Sequence, residues 1–408
     1  MLGLSLGLWQ LSGDNRPLTV AGNSAVMDLN FAANRAFING APVSISSVLG
    51  CTRAGVATYT DASGNISDIS ANTLRTGNAG LLIEGAATNI GLQSTDFTVG
   101  PWVTAGATVT ANATTAPDGT TTPEQFDVTA AAGQGRYQVV TVTASTVYTV
   151  SWYTKLGTLP LATATYALRD DTAGAFISID QPINAATNSS TWTRTTVTLT
   201  TPVGCTSLRV YPLRTSSVSP AAGTAFYWGF QVEAGAFATS YIPTTAAAVT
   251  RAADLVTMTG ANFSGWFNAS AGTLYADGTG VNDVSGATRR FIDARIDANN
   301  IILLGYAATT TVRGLILTAG VSQFDQTVTA AAGSPHKTAL AYAANDFRHC
   351  VDGTLGTADI AGTAPAATSM LFGADNLGTA NTCLYGYLRR VACFNTRLSD
   401  ANMQTLTT

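Results

Sequence analysis

The sequence predicts an all-β protein: two tandem β-sandwich (jelly-roll) domains preceded by a mostly extended N-terminal region. Three observations predict it. Apolar and polar residues alternate with period two in short runs bounded by Gly, Asn, Asp and Pro, and no stretch beyond about ten residues keeps a helical period. Charged residues make up 11% of the chain against 46% hydrophobic, so Thr, Ser, Asn and Gly must cover the surface, a habit that suits the outer faces of strands. At 408 residues the chain has room for roughly two to three units, each with its own core.

Taken in order, the opening "MLGLSLGLWQLSGDNRPLTV" lacks a basic leader, and Trp9-Gln10 interrupts its apolar run, so it reads as an ordered arm or first strand. In "TYTDASGNI" residues 61–65 supply a hairpin turn. In "YTVSWYTK" Val150, Trp152 and Thr154 share one strand face and Ser151, Tyr153 and Lys155 the other; "RTTVTLTTP" repeats the logic with Val197 and Leu199. "HKTALAYAANDFRHCVDGTLG" reads as two strands and a tight Asp352-Gly353 hairpin, which needs positive φ. "RLSDANMQTLT" is a short helix with Ser399 as N-cap and Leu398, Met403 and Leu406 as apolar contacts. Composition places an N-terminal region at 1–92, a first sandwich at 93–245 and a second at 246–408, with the Thr/Ala-rich 243–254 as connector.

Several partners are excluded on charge and spacing. A net charge of −4, with Lys155 and Lys337 the only lysines, leaves no basic stripe for a phosphate backbone, so no nucleic acid is expected. No apolar run reaches the roughly 18–20 residues of a membrane span, so no insertion is expected. The cysteines at 51, 205, 350, 383 and 393 are odd in number and form no CxxC pair, which indicates neither a disulfide framework nor a zinc site and suits folding in a reducing cytosol.

Four stretches occur in an order that resembles a family of bacteriophage and prophage virion proteins, tail or head fibres: "CTRAGVATYTDASGNI" (51–66), "GLLIEGAATNIGLQSTDF" (80–97), "FQVEAGAFATSYIPTT" (230–245) and "VTRAADLVTMTG" (249–260). The part between them looks like a jelly roll of the carbohydrate-binding type, and the last third is similar to concanavalin-A-like and laminin-G-like sandwiches. The resemblance implies a non-catalytic fibre or spike in the virion, assembled in the host cytoplasm and adhering to host surface polysaccharide. It implies a homo-oligomer, a trimer by analogy, joined to other virion proteins through residues 1–92. The alternatives are a connector protein that binds no sugar and a polysaccharide depolymerase. The family usually carries a charged residue where Ala86 and Ala87 stand. Glu84, Asn89 and Glu233 lie in its signatures and read as structural, with the carboxylates capping turns or pairing with arginines such as Arg53 or Arg251.

The chemistry of the side chains agrees with a non-enzyme. The chain has three glutamates, Glu84, Glu124 and Glu233, and none after residue 253, whereas glycoside hydrolysis needs two facing carboxylates. Asp293, Arg295 and Asp297 alternate along one strand and read as a solvated ion-pair ladder. His336 and His349 are the only histidines, and no GxSxG elbow is present. No metal site is assigned; Ca²⁺ is an option at 61–65 and 277–283, where Asp and Asn sit in Gly-rich loops, with ordinary turns as the simpler reading. Strand parity puts Tyr153, Trp192, Arg194, Arg209 and Tyr211 on outward faces, where they would form a sugar platform if those faces join in one sheet.

Overall fold

A computed structural model describes residues 16–281, 283, 288–375, 378 and 381–408. The expected arm at the N-terminus lies mostly outside the described residues. The protein is all-β, with only short helices among the described residues, none of them long and apolar enough to cross a membrane.

The larger sandwich packs a ten-stranded sheet on a seven-stranded one. In the ten-stranded sheet the strand Gly386–Phe394 is central, with Ala271–Thr279 on one side and Met27–Asn30 on the other. Met27 pairs with Cys393, and Leu81 of Gly80–Ile83 pairs with Leu388. The seven-stranded sheet likewise takes Gly50–Thr52 as an edge beside Leu255–Thr259. Its core joins Met27, Leu29, Leu81 and Ile83 to Leu274, Phe291, Ile302 and Phe372. The strands expected to form a separate region at 1–92 are therefore woven into the sandwich expected at 246–408. The reason is burial: "MDLN" and "GLLI" are apolar on the faces that meet this core, and neither run has enough partners nearby in sequence to cover them.

The first sandwich is an insertion in the second. The chain leaves along Ala87–Asn89 and returns along Val249–Arg251, and these two short strands pair antiparallel, Ala87 opposite Arg251 and Asn89 opposite Val249. Between them two five-stranded sheets enclose Phe126, Val150, Trp152, Leu208, Val210 and Phe230. The distal sheet comprises Val103–Ala105, Gly135–Thr141, Ser207–Thr215, Ala164–Asp170 and Ala175–Pro182; the proximal sheet comprises Thr108–Thr110, Glu124–Val128, Gly223–Ala234, Val147–Leu156 and Thr193–Thr200. The hairpin Ala57–Thr60/Ile66–Ile69 lays Ile66 against Tyr153, Trp228 and Tyr241 on the outer face of the proximal sheet.

Local chemistry explains the turns. Asp61 accepts from the amides of Ser63 and Asn65 and from the Asn65 side chain, so its oxygens close the hairpin. Asp352 and Gly353 have φ of 47° and 76°, as the two-residue hairpin requires. The Ser399 hydroxyl accepts from Asn402 N–H at 3.3 Å and starts the helix Asp400–Thr407, whose Met403 and Leu406 pack with Leu398 over Tyr275 and Cys350.

Candidate functional site

Two polar constellations organise the inserted unit, one at its root and one on its far face. At the root, Glu84 is 4% exposed. Its carboxylate accepts from Arg75 Nη1 at 2.7 Å, Ser240 N at 2.7 Å and Ser240 Oγ at 2.6 Å. Burial alone would raise its pKa, but Arg251 and Arg75, with the Ser240 donors, hold it at about 2. Asp254 joins the same network, accepting from Arg53 at 2.9 Å and from Arg75. Arg251 donates to the Gly85 carbonyl at 2.9 Å. Glu84 thus pairs first with Arg75, while Arg53 serves Asp254.

Asn89 is fully buried and uses all its polar capacity within the inserted unit, at the foot of the strand by which the chain enters it. It donates to the carbonyls of Phe230 and Ile242 and accepts from the amides of Gly91 and Val232. Glu233 accepts from the Thr239 amide and hydroxyl and from Gln231, and burial raises its pKa. These three side chains sit where the two sandwiches join, and none faces a ligand-sized opening.

The five expected platform residues fall on opposite sides of the inserted sandwich. Tyr153, Trp192 and Arg194 lie with the proximal sheet. Tyr153 is 7% exposed against Trp228; Trp192 donates to the Thr115 carbonyl at 2.9 Å; Arg194 is tied to the Thr239 carbonyl and Ser151. The 57–69 hairpin covers that side, so these three pack rather than present. A single platform of all five does not exist, because strand parity reports which side of its own sheet a residue takes and not which sheet it belongs to.

Arg209 and Tyr211 lie on the outer face of the distal sheet, with partners that parity alone did not single out. Tyr137 meets Tyr211 with centroids 4.9 Å apart, and Phe176 lies 6.5 Å beyond Tyr211. Ala167, opposite Tyr211 in the ladder, is small enough to let the rings approach. The Arg209 guanidinium stacks 4.2 Å over Tyr137, and that of Arg214 lies 5.4 Å over Phe176. Carboxylates orient both: Asp171 accepts from Arg209 Nε and Nη2 at 2.9 and 2.7 Å, and Asp180 accepts from Arg214 Nη1 at 2.7 Å. Asp171 also holds Arg169, so two guanidiniums share one carboxylate. Phe176 is 42% exposed and Tyr137 half-buried, whereas Tyr211 is 7% exposed and packs beneath them as support. The signal that could have found this face is the alternation in "GRYQVV" and "SLRVYPLR", read together as neighbouring strands.

Neither the Asp293–Asp297 run nor Glu124 forms a cutting site. Asp293 is fully buried, holding both Arg290 and Arg295, and a register shift turns Asp297 away to cap its own hairpin. The ladder is thus interior rather than solvated. Burial, with Asp96 nearby, pushes Glu124 up to about 7 even against Arg136, but it is 2% exposed and out of reach of a polysaccharide. His349, fully buried beside Thr338, is held down at about 3 by burial. No group of three metal-ligating side chains occurs among the described residues.

No protein-family model and no curated protein sequence matches the chain. Among solved structures, the CBM40 of the Ruminococcus gnavus IT-sialidase, bound to α2,3-sialyllactose, is 14% identical over 35% of this chain and 84% of that one, with a TM-score of 0.29. The CBM22-1 xylan-binding domain of Paenibacillus barcinonensis Xyn10C is 20% identical over 37% and 96%, at 0.28. The NanB sialidase of Streptococcus pneumoniae is 12% identical over 37% of this chain and 26% of the enzyme, at 0.31. Such scores carry no ligand or activity over to this chain. Its own geometry defines an all-β protein in which one sandwich carries another as an insertion.

Proposed function

We propose that the chain is a non-catalytic adhesin that grips surface polysaccharide with the outer face of its distal sheet. The observation that carries this reading is the exposed Phe176 ring and the half-buried Tyr137 ring, both backed by buried Tyr211, with Arg209 and Arg214 fixed beside them. Aromatic rings offer the apolar face of a pyranose a flat partner, and guanidiniums already oriented by aspartates donate to its hydroxyls with little ordering cost. The motif order supports a finer reading, a subunit of a phage fibre or spike, trimeric and attached to the particle through its N-terminal part. Many copies on one particle multiply weak contacts into avidity.

A glycan array and host-cell adsorption with the full chain test this. Phe176→Ala and Tyr137→Ala are expected to weaken binding by about tenfold each, near 1.4 kcal/mol, while Trp192→Phe leaves it unchanged. Absence of binding to any glycan or cell would return the protein to the connector reading, and shortened polysaccharide chains after incubation would make it a depolymerase.

A further inference from the structure

An open depression lies on the larger sandwich, on the ten-stranded sheet beside the C-terminal helix. Its volume is about 670 Å³, within the range of small-molecule sites. Asp277, His336, Lys337, Asp352 and Arg389 line it, with Pro335 as an apolar wall.

Most of these groups are already committed. His336 Nδ1 meets Asp352 at 2.6 Å and Nε2 meets the Ala331 carbonyl at 2.7 Å. Asp352 also accepts from the Lys337 amide, and Lys337 Nζ donates to the Thr408 carbonyl at 2.6 Å. Asp277 and Arg389 are different. The Asp277 side chain is 19% exposed, and its nearest cation is Arg389 Nε at 3.9 Å, too far for a hydrogen bond. Arg389 keeps 53% of its side chain in solvent. Burial raises the Asp277 pKa, as expected of a carboxylate short of donors.

The backbone places these two side chains together. Asp277 pairs with Arg390 but Gly278 pairs with Leu388, so Arg389 is the extra residue of a β-bulge. Bulges re-aim side chains, and this one turns a guanidinium toward a carboxylate on two inner strands of a rigid sheet. A carboxylate that lacks donors beside a guanidinium with donors to spare matches neighbouring hydroxyls, each of which gives one hydrogen bond and takes another.

We propose that this depression binds a neutral hexose unit through two vicinal hydroxyls, one donating to Asp277 and the other accepting from Arg389. The site is separate from the distal-sheet face and stands or falls without it.

The test is ligand-observed NMR on the full chain with methyl α-mannopyranoside, methyl β-galactopyranoside and sodium glucuronate as probes. At least one neutral glycoside should bind with a Kd on the order of 1 mM. Asp277→Asn should weaken it about tenfold without changing the thermal midpoint, since the carboxylate has no internal hydrogen bond to lose. Phe176→Ala should leave it intact. Equal binding by the Asp277→Asn protein, tighter binding of glucuronate, or no saturation by either neutral glycoside overturns the proposal.

Discussion

Among single residues, Glu84 and Glu124 are both buried carboxylates, at 4% and 2% exposure, with opposite surroundings. Glu84 is buried among arginines and ionised; Glu124 is buried with one oxygen lacking any partner. Removing one member of a buried ion network leaves the others uncompensated, so Arg75→Ala is expected to cost about 3–5 kcal/mol in urea denaturation. The pH dependences run in opposite directions. Glu84 has a folded pKa below its ordinary value of 4.5, so its contribution is present above pH 4.5 and is lost as pH falls toward about 2. Glu124 has a folded pKa raised from 4.5 to about 7, so the folded state binds the extra proton, and stability falls as pH rises from 4.5 through 7. Glu124→Gln should therefore stabilise the protein by about 1 kcal/mol at pH 8 and have little effect at pH 4, read as paired denaturation midpoints. The place of Glu84 inside the apolar run "LLIEGAATN" was legible. Its partner Arg75 was not, because the nine-residue separation has no periodic meaning until Thr76–Gly77 folds back on Gly80–Ile83.

Among elements, turn and cap chemistry was the most readable part of the sequence. The hairpin at 61–65, the Asp352-Gly353 turn and the helix capped by Ser399 all rest on local rules that side chains two to four residues away decide. Ser399→Ala is expected to cost about 1 kcal/mol, measured by thermal denaturation. Close strand approach is less readable. A Cβ on Gly135 would meet the Leu213 carbonyl oxygen at 2.0 Å, beside the register shift in the Gly135–Thr141 strand. Gly135→Ala should lower stability by about 1–3 kcal/mol and disturb the Tyr137 ring two residues on, visible as weakened glycan binding. Strand parity places Tyr211 and Trp192 off the core of the inserted sandwich, yet it could not say that Tyr211 would be 7% exposed beneath the rings around it while Trp192 packs, half-buried, against the cluster under the 57–69 hairpin.

For the whole molecule, the all-β class followed from composition and alternation, whereas the insertion did not. Pairings such as Leu81 with Leu388 span most of the chain and leave no local trace. Because Ser240 of the inserted sandwich is held by Glu84 and Arg75 through buried polar bonds, both sandwiches should unfold in one calorimetric transition. Arg75→Ala is expected to split it in two, and two transitions already in the wild-type protein would count against this coupling.

The side-by-side departure and return at Ala87–Asn89 and Val249–Arg251 also has a mechanical meaning. Tension carried along the chain from Met27 to Phe394 runs through the ten-stranded sheet, whose strands there are hydrogen-bonded neighbours, and bypasses the module held between the clipped strands. The inserted module hangs beside the line of load, so a pull on the larger sandwich leaves its shape unchanged until the sheet that carries it gives way.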